Sequence, residues 1–543
     1  MYLYIASGIF IITVIATIKI AKELFGATKL PISGPLHLPL IGSLYEFNKN
    51  KDRFYDWMLD NYNKYGKNGI FYFSIPMKQP YIVILKPEYL KHVLKDNMDN
   101  YHREPVYTVC DELLGNGIFN VDGMQWKTQR RIASHMFSTA KLNNKALESF
   151  KLCINKIIKR IDYYAENNIT FDIKDLFFRT TMDSICLIAF DYNVGCLDSD
   201  TMPEFANSID KCTRHLFNRI INPLWRIHKI VSLNDEIEYA KNIKILNKLC
   251  YKIIKQRRKE KYNDKEISED LLTLFMNSLT NNSNDNSNGN NSNDNNDNDD
   301  NNNVINDNNN EVSNDNIINN DEDTNDDYED EITEDDKYLR DIIFSFIIAG
   351  RDTTASTLSW LFYELLTKPD IVEELQEEIS DNINNNNHIY DYNNYKKIEA
   401  AFYETLRLHP PVPFDIKYSK NDDILINEEK NTGTFIPKNS TIIYSPYIMG
   451  RMPEIWGNKY NEFDINREHK KKTQFEFPCF NAGPRLCLGK TFAILQAKVI
   501  VSELLSRFTF YPENKKMFLE KAKYSFGITS TMNHKLIVSA KKI

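Results

Sequence analysis

The sequence predicts a mainly α protein with small β-sheets: a single large α-rich domain behind an N-terminal membrane anchor. Three observations predict it. Apolar residues recur at helical spacing through most of the chain from residue 43 onward, while β-branched runs are few and short. The 543 residues are 42% hydrophobic and 12% aromatic, enough apolar material for one large core. Residues 2–18 form an uncharged apolar run that stands apart from everything after it.

That run comes first in the chain. Its length is at the low end of the roughly 17–25 residues that span a bilayer. Lys19, Lys22 and Lys29 follow it. Positive charge after an apolar run favours a cytosolic body, so residues 1–20 are expected to be a single-pass anchor in the endoplasmic reticulum membrane. A buried core helix is the plainer alternative. No charged start or small-residue cleavage site marks a signal peptide. Residues 21–42 are basic, then proline-rich, with Pro31, Pro35 and Pro39. Prolines fix an extended path, so this stretch is expected to be a stiff hinge.

Residues 43–543 are expected to be the catalytic domain. Short strand signals lie at 70–74, 81–85, 433–436 and 441–444. Helical patterns cover 338–367 and a final segment at 488–508. Residues 280–336 interrupt the domain with an Asn/Asp-rich stretch that has almost no apolar content. It cannot bury enough surface to offset its ordering entropy and is expected to be a disordered insert.

The insert holds 19 acidic residues and no basic ones. Without it, 67 basic residues face 56 acidic ones, a balance of +11 instead of −8. A basic body suits an anionic membrane face or an acidic protein partner. No nucleic-acid motif accompanies the charge, so no nucleic-acid partner is expected. The eight cysteines are scattered and none forms a CxxC pair. That argues against a disulfide scaffold and a structural zinc site, and for a reducing compartment.

Four motifs carry chemistry. In residues 480–489 a glycine-bearing loop with Phe480, Gly483, Arg485 and Gly489 delivers Cys487 to the start of an apolar helix. A helix N-terminus and nearby N–H groups favour a thiolate, although a lone buried cysteine is more often structural. The run Ala349-Gly350-Arg351-Asp352-Thr353-Thr354 lies inside a helical stretch. Glycine there costs about 1 kcal/mol against alanine, and a gap beside a ligand would justify it. Thr353 could equally bond back to its own helix. Glu404 and Arg407 are three apart and can pair on one helix face. Trp126 and Arg130, four apart, share a face in the same way.

Together and in this order, these motifs resemble the cytochrome P-450 superfamily of heme-thiolate monooxygenases. The resemblance covers nearly the whole chain apart from the insert. It implies the cytochrome P-450 fold, a heme b iron with Cys487 as axial ligand, and O2 as co-substrate. The thiolate ligand would push electron density toward O–O cleavage. Thr353 would support oxygen activation by hydrogen bond, and Asp352 would relay protons from solvent. Trp126, Arg130 and Arg485 would bind the heme carboxylates, with Phe480 and Gly483 shaping the loop. Glu404 and Arg407 would form a buried structural triad with Arg467. Ile465 and Glu468 depart from the family there, replacing a proline and an aromatic residue.

Further stretches resemble the membrane-bound fatty-acid ω-hydroxylase branch: residues 115–123, 406–414 and 444–451. This implies oxidation of the terminal carbon of a long acyl chain. Ala349 stands where animal ω-hydroxylases often carry a Glu that can link to heme, so the heme is expected to be non-covalent. Candidate substrate contacts are Ile118, Phe119, Phe346, Ala349, Val412, Phe414 and Ile528, with Ile347 and Thr529 also in view. Each is also compatible with plain core. No dinucleotide fingerprint is present, so electrons are expected from NADPH through a separate flavoprotein reductase. The alternatives are the same chemistry on a sterol, alkane or other lipid, a reductase-independent heme-thiolate isomerase or dehydratase, and a non-catalytic heme- or lipid-binding protein. An Asp352–Thr353 pair has no use in the last two.

Overall fold

Thr333 starts the helix around which the rest is arranged. Its side chain accepts from the Asp336 N–H, and the Asp336 carboxylate accepts from the Thr333 N–H in return. This capping box satisfies two end groups, and Glu334, Asp335 and Asp336 lie at the positive end of the helix. The helix runs Glu334–Leu366, and Pro369 opens the next one. Most of its residues are buried on every side, so it lies in the core and not on a surface.

The computed structural model describes residues 29–543 except 77–79, 104–105, 138–145, 222–224, 232, 264–268, 289–331, 387–391, 428 and 514–521. Helices of twelve or more residues are α1 Phe54–Tyr65, α2 Gly123–Met136, α3 Leu147–Glu166, α4 Ile173–Phe190 and α5 Glu204–Ile221. Then come α6 Leu233–Tyr262, α7 Leu271–Asn288, α8 Glu334–Leu366, α9 Pro369–Asn386, α10 Lys396–Leu408 and α11 Lys490–Leu505. The mainly helical expectation therefore holds. Helix α4 packs along α8. A Cβ on Gly350 would come within 2.5 Å of Ile185, so the glycine makes room for that side chain, and both residues also line the cavity described below.

One mixed sheet has the order β1-β2-β5-β4-β3, formed by β1 Ile70–Phe73, β2 Tyr81–Ile84, β3 Tyr101–His102, β4 Asp415–Ser419 and β5 Thr441–Tyr444. Only β2 and β5 run parallel, with Tyr81 opposite Thr441. Near the C-terminus, β6 Tyr524–Ser525 pairs with β7 Thr531–Met532, and the turn between them reaches α8. Helix α11 stops at Leu505 instead of 508, because Phe508–Pro512 pairs with Ile537–Lys542 as a strand.

Three segment expectations need comment. The anchor, 1–20, lies outside the described residues, and among those described no helix is long and apolar enough to cross a membrane. The described part of the proposed hinge is docked on the sheet. The Tyr72 N–H donates to Ser33, the Ser43 N–H donates to Ser74, and a Cβ on Gly34 would collide with the Tyr72 carbonyl at 1.9 Å. Both ends of the 280–336 insert are helical, since α7 extends to Asn288 and α8 begins at Glu334; residues 289–331 lie outside the described residues. The N-terminal cap of α8 sets the second boundary, and composition alone does not reveal a cap.

Candidate active site

The cysteine loop is shaped by close backbone contacts. The Cys487 N–H donates to the Phe480 carbonyl at 2.8 Å. Gly483 has φ +66, and a Cβ there would lie 2.3 Å from the Leu94 carbonyl. Only glycine fits such a position without strain. Gly483 does not line the cavity described next; it lets the loop sit against Leu94.

Cys487 opens into an internal cavity enclosing about 2150 Å³, part of it continuous with solvent. Its sulfur is accessible to that space, yet protein surrounds it otherwise. Burial pushes the Cys487 thiol up from its ordinary value, while the Gly489 N–H, Arg130 and Lys490 pull it down. The loop and helix end alone therefore do not make a thiolate; a coordinated metal ion would.

All seven candidate substrate positions line this cavity: Ile118, Phe119, Phe346, Ala349, Val412, Phe414 and Ile528. Thr529 lines it as well, but Ile347 does not and is packed in the core. Successive residues on a helix diverge by about 100°, so Phe346 and Ile347 cannot face the same way. Phe217 and Ile220 of α5 complete the apolar wall. Nothing in the amphipathic pattern of α5 distinguished these two from core residues.

Thr353 borders the cavity, and its hydroxyl donates to the Ala349 carbonyl at 2.6 Å. The plain back-bonding expectation thus describes this hydroxyl, which keeps its lone pairs for a second partner. Asp352 does not line the cavity. It is buried against Arg351, whose Nη1 lies 2.7 Å from Asp352 Oδ1 and 2.7 Å from Asp210 Oδ1. Burial raises the Asp352 carboxyl above its ordinary range, against the pull of Arg351.

A cationic cluster borders the Cys487 end. The Arg130 guanidinium donates to the Leu486 carbonyl at 2.6 Å. Arg485 lies 4.3 Å over the Trp126 ring and pairs with Asp122. Arg103 joins them at the cavity wall. Lys417, absent from the sequence-based reading, sits behind this wall. Its ammonium is buried with no hydrogen-bond partner among the described residues, 3.8 Å from the nearest Asp415 oxygen. Burial lowers its pKa to about 7, assisted by Arg103 and Arg485 and opposed by Asp415. An isolated buried cation is costly, so this cluster suits an anionic ligand. A lysine between Ile416 and Tyr418, within β4, was the signal that could have found it.

The structural triad assembles as expected and gains a member. Arg407 grips Glu404 with Nε–Oε2 2.7 Å and Nη2–Oε1 2.6 Å, and Arg467 Nε reaches Oε1 at 3.1 Å. His469 Nε2 adds a contact to Oε2 at 2.6 Å, and the Asp464 N–H donates to Oε1 at 2.9 Å. These donors hold the Glu404 carboxyl down at about 2, against burial. The His469 ring also stacks near Tyr403. An aromatic ring is therefore present one residue after Glu468, which stands where the family usually has one.

The Cytochrome P450 family model matches this chain over residues 32–298 and 297–536. The chain belongs to the cytochrome P450 family. The break between the two matched pieces falls inside the Asn/Asp-rich stretch. Cytochrome P450 704C1 of Pinus taeda is 30% identical over 91% of this chain and 90% of its own length. Cytochrome P450 94A1 of Vicia sativa is 29% identical, covering 89% and 86%. Cytochrome P450 704B1 of Arabidopsis thaliana is 32% identical, covering 88% and 90%. This P450 is a monooxygenase, and its family carries a heme iron, uses a redox partner and acts on lipophilic substrates. The residues present fit that group. A thiol opens into a large, mainly apolar cavity, and the cations Arg103, Arg130 and Arg485 line the same wall, where they suit carboxylates.

Proposed function

We propose that this P450 hydroxylates the terminal carbon of a long-chain fatty acid. The observation that carries the reading is a large cavity with a mainly apolar wall onto which Cys487 opens. The resemblance of residues 115–123, 406–414 and 444–451 to the ω-hydroxylase branch supports the substrate class. The overall change is R–CH3 + O2 + 2e⁻ + 2H⁺ giving R–CH2OH + H2O. The electrons come from NADPH through a separate flavoprotein reductase. Residues 1–20 anchor the chain in the endoplasmic reticulum membrane, residues 21–42 link the anchor to the body, and 43–543 form the catalytic domain with its insert.

Heme b, held non-covalently, supplies oxygen activation and the oxidising power for C–H cleavage. Cys487 would ligate the iron. Trp126, Arg130 and Arg485, with Lys417 behind them, would hold the heme carboxylates, and Phe480 and Gly483 shape the cysteine loop. Phe119, Phe346, Val412, Phe414 and Ile528 exclude water and direct the chain. Attack at a terminal methyl is harder than attack one carbon in, so positioning must decide the site. Ala349 and Ile118 line the same cavity and would help to orient the methyl end. Thr353 at the cavity wall and Asp352 behind it would hold and pass protons toward the Cys487 cavity.

The test is product analysis with reductase, NADPH and a long-chain fatty acid. The expected result is a terminal hydroxy acid, absent without NADPH. No hydroxy acid, with a normal thiolate-type carbon monoxide spectrum, would overturn the substrate and redirect the search to sterols and alkanes.

A further inference from the structure

A second cavity adjoins α8. It encloses about 870 Å³ with its mouth, between the start of α4, helix α5, and the hairpin of β6 and β7. Its wall is polar where the first is apolar. The charged groups that face Asp352 across it are Asp172, Lys174 and Asp175 from the α4 side, Asp210 and Arg214 from α5, and Arg351 beside it on α8. Asp352 borders this chamber and not the Cys487 cavity, whereas Thr353 borders only the Cys487 cavity. Two neighbours in sequence thus face two different compartments.

Gly527 and Thr529 are the two residues that line both. Thr529 is therefore the one polar side chain, among the described residues, common to the two walls. Its hydroxyl donates to Asp352 Oδ2 at 3.3 Å. The next residue fixes it in place. The Ser530 N–H donates to the Pro411 carbonyl at 2.7 Å, and Ser356 of α8 donates to the Ser530 carbonyl at 2.7 Å. The hairpin turn is thus tied to α8 where the two compartments meet.

We infer that the polar chamber is the proton reservoir and that the Thr529 hydroxyl carries protons from Asp352 into the Cys487 cavity. The inference rests on the reading of Asp352 and Thr353 as the proton-supply pair. In the transfer, the Asp352 carboxyl gives its proton to the Thr529 oxygen. The hydroxyl's own hydrogen, rotated toward the cavity, leaves to an acceptor there. Water in the chamber reprotonates Asp352. A hydroxyl can accept and donate at once, which the exchange requires. No electron moves, and the hydroxyl ends as it began. Burial keeps the Asp352 carboxyl above its ordinary range, so it is a better proton donor near neutrality than an exposed aspartic acid.

The test uses the full chain with its heme, reductase and NADPH, and the variants T529V, T529S and D352N. T529V keeps the shape and removes the hydroxyl. It is expected to lower product formed per NADPH by about tenfold, with peroxide released instead. That is less than the roughly 10²–10⁴ of a positioned acid–base group, because water can substitute for a hydroxyl. T529S is expected to restore coupling. A readout independent of turnover is the infrared carbonyl stretch of the Asp352 carboxyl, recorded at mildly acid pH where the group is protonated and assigned by its loss in D352N. T529V is expected to shift that band and T529S to return it. Tight coupling and an unmoved band in T529V, with D352N uncoupled, would overturn the role of Thr529. T529S behaving like T529V would also overturn it, because packing and not the hydroxyl would then matter. A tightly coupled D352N would instead overturn the underlying proton-supply reading. Should T529V fail to hold heme, T529A replaces it under the same criteria.

Discussion

Two buried charge clusters lie close to the Cys487 loop, and they are built on opposite rules. Around Glu404, two arginines, a histidine and a backbone N–H saturate one carboxylate. Around Lys417, an ammonium has no hydrogen bond among the described residues; Asp415 lies 3.8 Å away, and the cationic neighbours Arg103 and Arg485 push against it. Buried polar groups are ordinarily satisfied. A saturated cluster is complete without a ligand, so its work is structural. A cluster short of anions is complete only with one, so its work is binding. The difference separates scaffold from site without reference to any motif.

The largest effect tests the saturated side. Glu404→Gln removes the charge on which three cationic or hydrogen-bonding side chains converge. Breaking a buried pair by removing one partner costs about 3–5 kcal/mol. Urea or thermal unfolding of the purified variant should show that loss, or the variant should fail to accumulate folded. A change below about 1 kcal/mol would put Glu404 in the class of exposed, replaceable pairs.

The next test extends the comparison to a second saturated carboxylate. Glu364 accepts from His409 Nε2 at 2.8 Å and pairs with Lys368, which holds its carboxyl at about 2. The His409 ring in turn stacks on Trp360 at 4.2 Å. A folded-state value below the unfolded one means stability that is present above about 4.5 and lost as pH falls toward 2. The shift corresponds to roughly 3 kcal/mol across that window, at about 1.4 kcal/mol per unit. Unfolding free energies measured from pH 5 downward should therefore fall more steeply in the parent chain than in Glu364→Gln. Equal slopes would show that the pair contributes nothing to acid sensitivity.

How much of this was legible in the sequence follows from distance along the chain. The Cys487 loop, the Ala349–Thr354 run, the Glu404–Arg407 pair and the Trp126–Arg130 pair are local, so spacing alone brings their members together. The four strands read from β-branched runs are present for the same reason. What was missed is long-range. Strand β3, only two residues long, exists because β4 pairs with it. His469, Arg103, Lys417 and Asp210 gain meaning only from partners far away in sequence. Gly350 was read as leaving room for a ligand; it lines the cavity, and the close approach of Ile185 is a second reason that only the fold reveals. The placement of Asp352 and Thr353 in separate compartments depends on a hairpin about 175 residues downstream, at Thr529, which helix periodicity cannot reveal.

The smallest expected change in stability is also the one that could break the comparison, because its sign differs. Lys417 has a folded value of about 7, below the ordinary lysine value of 10.5. The unfolded chain then binds more protons across that interval, so stability is present above about 10.5 and lost as pH falls through 7. Lys417 thus weakens the heme-free fold at neutral pH. Lys417→Met, similar in length and uncharged, should leave the heme-free protein equally stable or slightly more so at pH 7. With heme bound, the same substitution should act in reverse, because a charge-assisted bond to a heme carboxylate would be lost. Such bonds are worth about 1.5–3 kcal/mol, so heme transfer to an acceptor protein should accelerate by about tenfold or more. A variant destabilised in both forms would mean that Lys417 is scaffold after all, and that lack of a hydrogen-bond partner does not by itself mark a site.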